Sequence, residues 1–187
     1  MTVKDILILS SDLIDRKDIS DYLKHGSSET SIDAGLEAQT LLKCYNLIVS
    51  EIISEYYRLN TIESFVATNG TFEYKNLSKN AIAIISVKDE NLVKVDAKIY
   101  PTKLFTKTNK GYIEYEYVPT EQAESDNFIF ENTPITNRIV ALGVAREYLF
   151  IKGSFAESDN YGKKFVNSIL SAITKKGRII LPARKWF

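Results

Sequence analysis

Chemistry at a protein site needs a positioned acid, base, nucleophile or metal ligand, and few residues of this sequence qualify. His25, the sole histidine, stands in "KHGSSET", where a surface residue near a helix end is a simpler reading than a general base. Cys44 is the sole cysteine and lies in an apolar helical pattern, so it reads as a small core residue. That excludes a disulfide framework, a paired-cysteine zinc site and a redox motif. Glu114 and Glu116 alternate along "GYIEYEYVP" and could be imagined as an acid/base pair. Alternating carboxylates are more often the solvated side of a strand, here with Lys94 and Lys98 as cross-strand partners. There is no phosphate loop, dinucleotide fingerprint, nucleophile elbow or metal-ligand spacing; the glycines of "GVAREYLFIKGSF" punctuate helices. The expectation is a protein that is not an enzyme, with no catalytic, cofactor-binding or metal site and no cofactor.

Charge and apolar surface are what remain to carry a function. The 187 residues balance 24 basic against 24 acidic groups, so no overall charge draws the chain to nucleic acid or membrane. The balance hides a gradient. Residues 1–60 hold 6 basic and 10 acidic groups, residues 61–135 hold 8 and 11, and residues 136–187 hold 10 and 3. Such poles suit copies that stack head to tail. Within the basic pole, Arg138, Arg146, Lys163 and Lys164 are candidate contacts to double-stranded DNA, neutralising phosphates without reading sequence. The opening "MTVKDILILSSDLID" has too short an apolar run for a signal peptide or membrane span, which implies a soluble chain made inside the cell. On that reading the "NGT" and "NLS" matches to the glycosylation pattern are chance.

These residues have to be positioned by helices at both ends and strands between. "KDILILSSDLID" and "DISDYLKHG" read as short helices, the second closing at Gly26. From Ile32 to about Arg58, two apolar rows run at helical spacing: Leu41, Tyr45, Ile48 and Ile52, and beside them Leu42, Val49, Ile53 and Tyr56. Thr30 and Asp33 stand as a capping box. At about Thr61 the period falls to 2. "SFVATNGTFEY" predicts a hairpin about Asn69-Gly70, and "AIAIISV" with "LVKVDAKIYP" a second one about "KDEN". The expected inward face of this β region includes Ile82, Ile84, Val93, Val95, Ile113 and Tyr115, with Ala97 and Ile99 continuing it. Helical spacing returns at Thr136, with Ile139, Leu142, Val144, Ala145 and Leu149 as one stripe. A last helix after Ser154, with Glu157 as its capping partner, turns Phe165, Ile169 and Ala172 inward.

The layout is α+β: a helical bundle formed by N- and C-terminal helices, with an inserted β-rich antiparallel region and an extended C-terminal arm. The expected parts are 1–60, helical; 61–134, β-rich; 135–176, helical and of the same bundle; and 177–187, the arm. The arm, "GRIILPARKWF", carries Ile179, Ile180, Leu181, Trp186 and Phe187, residue types that normally lie inside, while Gly177 and Pro182 forbid a continuous helix to bury them. Burying five such side chains gains on the order of 10 kcal/mol, and fixing the backbone costs about 1 to 2 kcal/mol per residue. A lone subunit therefore gains little by ordering the arm, and another chain is its expected receiver.

In this order of parts the chain resembles the head-to-tail connector, or adaptor, proteins of tailed bacteriophages and prophages. The resembling stretches are "LEAQTLLKCYNLIVSEIISEYYRL", the strands running to "KIYPTKLF" and "GYIEYEYVPT", "ALGVAREYLFIKGSFAES" and the closing "ILPARKWF". The resemblance implies a structural virion protein. It would be a subunit of a homo-oligomeric ring, commonly of about twelve copies, that joins the portal protein to downstream tail or neck proteins and lines the DNA channel. It implies no catalytic residues and no membrane partner. The arm residues Ile179, Ile180, Leu181, Pro182, Arg184, Trp186 and Phe187 become the expected interface, and the virion neck, after assembly in the bacterial cytoplasm, the expected location. Two other readings stay open: another neck or tail-completion ring protein, and a small carbohydrate-binding module or enzyme in which Tyr112, Tyr115 and Tyr117 stack on sugar rings.

Overall fold

The computed structural model describes residues 1–26 and 32–174, and its fold is α+β. The helices are α1 (Val3–Leu13), α2 (Lys17–His25), α3 (Ile32–Glu51), α4 (Asn137–Ile151) and α5 (Phe155–Ile173). The strands, all between α3 and α4, are β1 (Asn60–Val66), β2 (Thr71–Glu73), β3 (Asn80–Lys88), β4 (Ala97–Ile99), β5 (Lys103–Thr106) and β6 (Lys110–Val118). The chain divides into two compact units, one of Met1–Leu41 with Asn127–Phe187 and the other Leu42–Asp126. The division falls inside α3 and after the last strand, where the spacing of residues had suggested 60/61 and 134/135.

The first unit is helical. A capping box opens α1: the Thr2 N–H donates to Asp5 Oδ2 at 2.8 Å, and the Asp5 N–H returns to Thr2 Oγ1 at 3.4 Å. Its apolar row Val3, Ile6 and Leu7 is fully buried, and α1 packs on both α2 and α4. Central to the unit is α4, whose expected stripe Ile139, Leu142, Val144, Ala145 and Leu149 is buried, with Val140 and Ala141 fully buried beside it. A helix buried nearly all round carries no clean amphipathic stripe, which is why its central place was not legible. Gly153, at φ 79°, turns the chain back into α5, which packs along α4 and buries Phe165 and Ile169, with Ala172 half-buried. The expected Ser154–Glu157 box is not formed: Ser154 makes no side-chain capping bond. Thr30, the expected cap of α3, lies outside the described residues.

The second unit holds the later part of α3, a turn of wider π-type helix at Ile52–Tyr56, and two antiparallel sheets of order β1-β6-β3 and β2-β5-β4. Its buried side chains include Tyr45, Ile48, Ile52, Ile53, Leu104, Ile113 and Tyr115, and Phe65 of β1 meets Phe72 of β2 at 5.5 Å between ring centres. The Asn69-Gly70 turn is present, with both residues at positive φ (53° and 72°) and Thr68 and Thr71 exchanging backbone bonds of 2.9 and 3.0 Å. The hairpin around it is not: β1 continues into pairing with β6, and β2 pairs with β5. The second expected hairpin is formed only at its turn: Lys88 and Lys94 make an isolated antiparallel bridge, with the Asp89 N–H donating to the Val93 carbonyl and the Val95 N–H to the Val87 carbonyl, both at 2.9 Å. Asp89 Oδ1 accepts the N–H groups of Asn91 and Val93, both at 2.9 Å, and holds a loop through Leu92 at φ 63°. The strand resumes only at Ala97 and pairs with β5.

The inward face needs correcting accordingly. Ile113 and Tyr115 are buried as expected, but Ile82, Val93 and Ile99 are about half exposed, while Ile84, Val95 and Ala97 lie between. In β3 the register against β6 shifts between Ala81 and Ala83 and again between Ile84 and Ser86, so Ile82 and Ile85 are each an extra residue. Two bulges break the alternation of a strand that reads as regular, and they turn two isoleucines outward.

Candidate functional site

Each of the four candidate DNA contacts lies on α4 or α5, but they do not form one cluster. Arg138 is exposed in the first turn of α4, beside a shallow cleft of about 520 Å³ that Asn167, Ser168 and Ser171 of α5 also line. Arg146 is turned inward: its guanidinium reaches Glu147 at 3.4 Å and lies over the ring of Phe165 at 5.2 Å, and its side chain packs where Gly162 leaves room. Its side chain is thus half-buried against α5. Lys163 and Lys164 are exposed on α5, the first paired with Asp159 at 2.6 Å, the second over the Tyr161 ring at 5.2 Å. An exposed pair of this kind holds its charge in place weakly. The expected arm, Ile179 to Phe187, lies outside the described residues.

No single motif marked the polar chain that crosses the first unit. Arg16 grips Asp18 through two bonds of 2.9 and 2.7 Å and donates to the Tyr148 hydroxyl at 2.6 Å; Tyr148 donates to Glu37 at 2.9 Å, and Lys152 donates to the other Glu37 oxygen at 2.6 Å. Hydrogen bonding to Asp18 raises the Arg16 pKa, and burial, then the Glu37 bond, pushes the Tyr148 hydroxyl up. Burial by itself would raise Glu37, but the bonds from Lys152 and Tyr148 outweigh it and the carboxyl sits below its ordinary value of 4.5. Every member is held by others, so the chain ties α2, α3 and α4 together and leaves no free acid or base. A depressed carboxyl contributes stability that is complete above its unfolded pKa and is lost as pH falls through the folded one. Glu37→Gln should therefore cost about 1.5 to 3 kcal/mol at neutral pH. The gap in melting temperature between variant and parent should then close as pH drops below 4.5, and thermal melts across pH check both parts.

The strand carboxylates are likewise occupied. Glu114 accepts from Lys88 at 2.9 Å and Ser86 at 2.8 Å, and Glu116 faces Arg58 at 4.0 Å, so the partners are Lys88 and Arg58 in place of the expected Lys94 and Lys98. Glu63, one strand over, accepts from Tyr115 at 2.7 Å and Ser78 Oγ at 2.8 Å. Tyr115 and Tyr117 are buried and only Tyr112 is half open, so β6 offers no row of rings to a sugar. His25 is exposed at the end of α2, and Cys44 is buried. Among the described residues no group of three histidines, cysteines or carboxylates is placed to hold a metal, and no helix is long and apolar enough to cross a membrane.

What the surface does present is apolar. At the α4–α5 turn Phe150, Ile151 and Phe155 are 57%, 53% and 62% exposed, the two rings meeting edge to face at 5.4 Å. In the second unit Ile82, Ile84, Ile99, Tyr100 and Pro101 line an open hollow of about 440 Å³. On the same unit, Leu47 of α3 stands over Val118 and Pro119 across a groove of about 560 Å³. Sequence spacing missed these because it identifies the residues that go in; an apolar residue left outside breaks a pattern and creates none. No model of a known protein family matches this chain, and no curated protein matches it.

Proposed function

We propose that the protein is a structural subunit of a phage head-to-tail connector ring, linking the portal to the tail and acting by geometry. The observation that carries this reading is the exposed apolar surface that each unit bears, at Phe150, Ile151 and Phe155 on one and at Ile82, Ile99 and Tyr100 on the other. A monomer seldom exposes clustered aromatic and branched side chains, and a chain that contacts neighbours on several sides requires them. The saturated carboxylates, and the resemblance in the order of parts, support the same reading. The exposed Arg138, Lys163 and Lys164 would give the ring weak, sequence-blind and salt-sensitive contact with duplex DNA.

The test is the mass of the purified protein, with negative-stain imaging, alone and with the portal. A ring of defined copy number beneath the portal is expected. Removing residues 177–187 should leave the melting temperature nearly unchanged and abolish incorporation. A chain that stays monomeric and never binds the portal would sink the reading; a ring that binds tail components but not the portal would make it a tail-completion protein.

A further inference from the structure

The groove beside α3 is apolar at Leu47, Val49, Val118 and Pro119, with Lys43 on the helix wall and Glu121 on the facing wall. Its second wall is the segment after β6, and that segment is pinned. Asn46 of α3 pairs with both backbone groups of Gln122, accepting its N–H at 2.8 Å and donating to its carbonyl at 3.1 Å, while Tyr45 Oη donates to Gln122 Oε1 at 2.8 Å. A wall fixed in advance adds no ordering cost when something binds. Leu47 is 55% exposed and Val118 37%, so the floor keeps apolar surface open to water. Pro119, Thr120 and Glu121 line that wall, and the segment continues as "QAESD" with Glu124 and Asp126 beyond the groove and no basic group.

One stretch of the chain matches this groove in both respects. Residues 177–187 carry three basic groups, Arg178, Arg184 and Lys185, and no acidic side chain, and among them stand Ile179, Ile180, Leu181, Trp186 and Phe187. We infer that the groove receives residues 177–187 of a second copy, apolar side chains over Leu47, Val118 and Pro119 and a basic one toward Glu121. The inference rests on the assembly reading above and gives it a contact. Giver and receiver are different surfaces, so the contact is head-to-tail and each copy can both give and receive, as a closed ring demands.

Two full-length variants separate the surfaces. Leu47→Asp spoils the groove and keeps the segment; Ile180→Asp with Leu181→Asp and Trp186→Phe spoils the segment and keeps the groove. Leu47 is exposed, so its change should leave the melting temperature alone; should it not, Glu121→Lys, also exposed, replaces it. The parent should self-associate with concentration in analytical ultracentrifugation, and each variant alone should stay monomeric. Mixed, they should form one-to-one pairs and nothing larger. Trp186, the only tryptophan of the chain and now present on one partner alone, should shift its emission to the blue in the mixture. Salt should weaken the mixed pair by roughly tenfold or more if the charges contribute.

A mixture that stays monomeric while the parent assembles overturns the groove assignment and leaves the assembly reading standing. A parent that is monomeric both alone and with the portal overturns both. If monomeric parent already shows blue-shifted emission, lost in Leu47→Asp without change of mass, the segment occupies its own groove and the second-copy assignment is wrong.

Discussion

Replacing Gly111 by alanine should open the sheet β1-β6-β3. Gly111 sits opposite Phe65 in β1, and a β-carbon on it would lie 2.1 Å from the carbonyl oxygen of Lys88 in β3 and 3.1 Å from the Phe65 ring. The ring can tilt, but the carbonyl belongs to backbone and cannot move without parting β3 from β6. Overpacking that a core must absorb costs about 1 to 3 kcal/mol, and backbone against backbone falls at or above the top of that range. The expected result is a melting temperature lower by roughly 10 °C, with faster amide exchange along β3. A Gly111→Ala protein that melts within a degree of the parent would show that β3 does not lie this close.

The second large effect separates two isoleucines that the sequence treats alike. Ile113 is fully buried on the central strand β6, and Ile82 is 49% exposed at a bulge of the edge strand β3. Ile113→Asp forfeits about 1.5 to 3 kcal/mol of apolar burial. It also buries an unpaired carboxylate, and together these amount to a large part of a typical domain's stability. The second unit should be unfolded in most molecules, visible as loss of near-ultraviolet circular dichroism from its tyrosines. Ile82→Asp should melt within a degree or two of the parent. Equal loss from both would mean that the bulges are misplaced and that Ile82 lies inside.

How much of this was legible depended on whether a rule acts locally. The ends of α2 and α4 were readable because a glycine at positive φ acts within one turn: Gly26 and Gly153 stand where expected, at φ 78° and 79°. The Ser154 cap was misread, because the residue types of a capping box do not by themselves form its bonds. The Asn69-Gly70 turn, acting as locally as those glycines, was readable. Which strand pairs with which was not, because β1 finds β6 some fifty residues away and the turn says nothing of partners beyond its own bonds. Alternation failed in β3 because one extra residue inverts every side chain after it, and β3 carries two. The polar chain of Arg16, Tyr148, Glu37 and Lys152 has members over a hundred residues apart, and each reads in sequence as an ordinary surface or core residue. The groove was hidden for another reason: Asn46 looks like any polar residue on a helix until it is seen holding both backbone groups of Gln122.

The two bulges of β3 bear on what happens when many copies are crowded together. β3 is an edge strand, and its stretch "NAIAIISV" is long, apolar and uncharged, the composition from which stacked cross-β fibrils grow. Fibril growth needs an uninterrupted row of free N–H and C=O groups at even spacing. Register breaks at Ala81/Ala83 and Ile84/Ser86 leave no such row, and past Val87 the outer side is already taken, the Val95 N–H donating to the Val87 carbonyl at 2.9 Å. Concentrated copies can therefore meet through shaped side-chain contacts, which saturate, and not by adding strand to strand, which has no natural end.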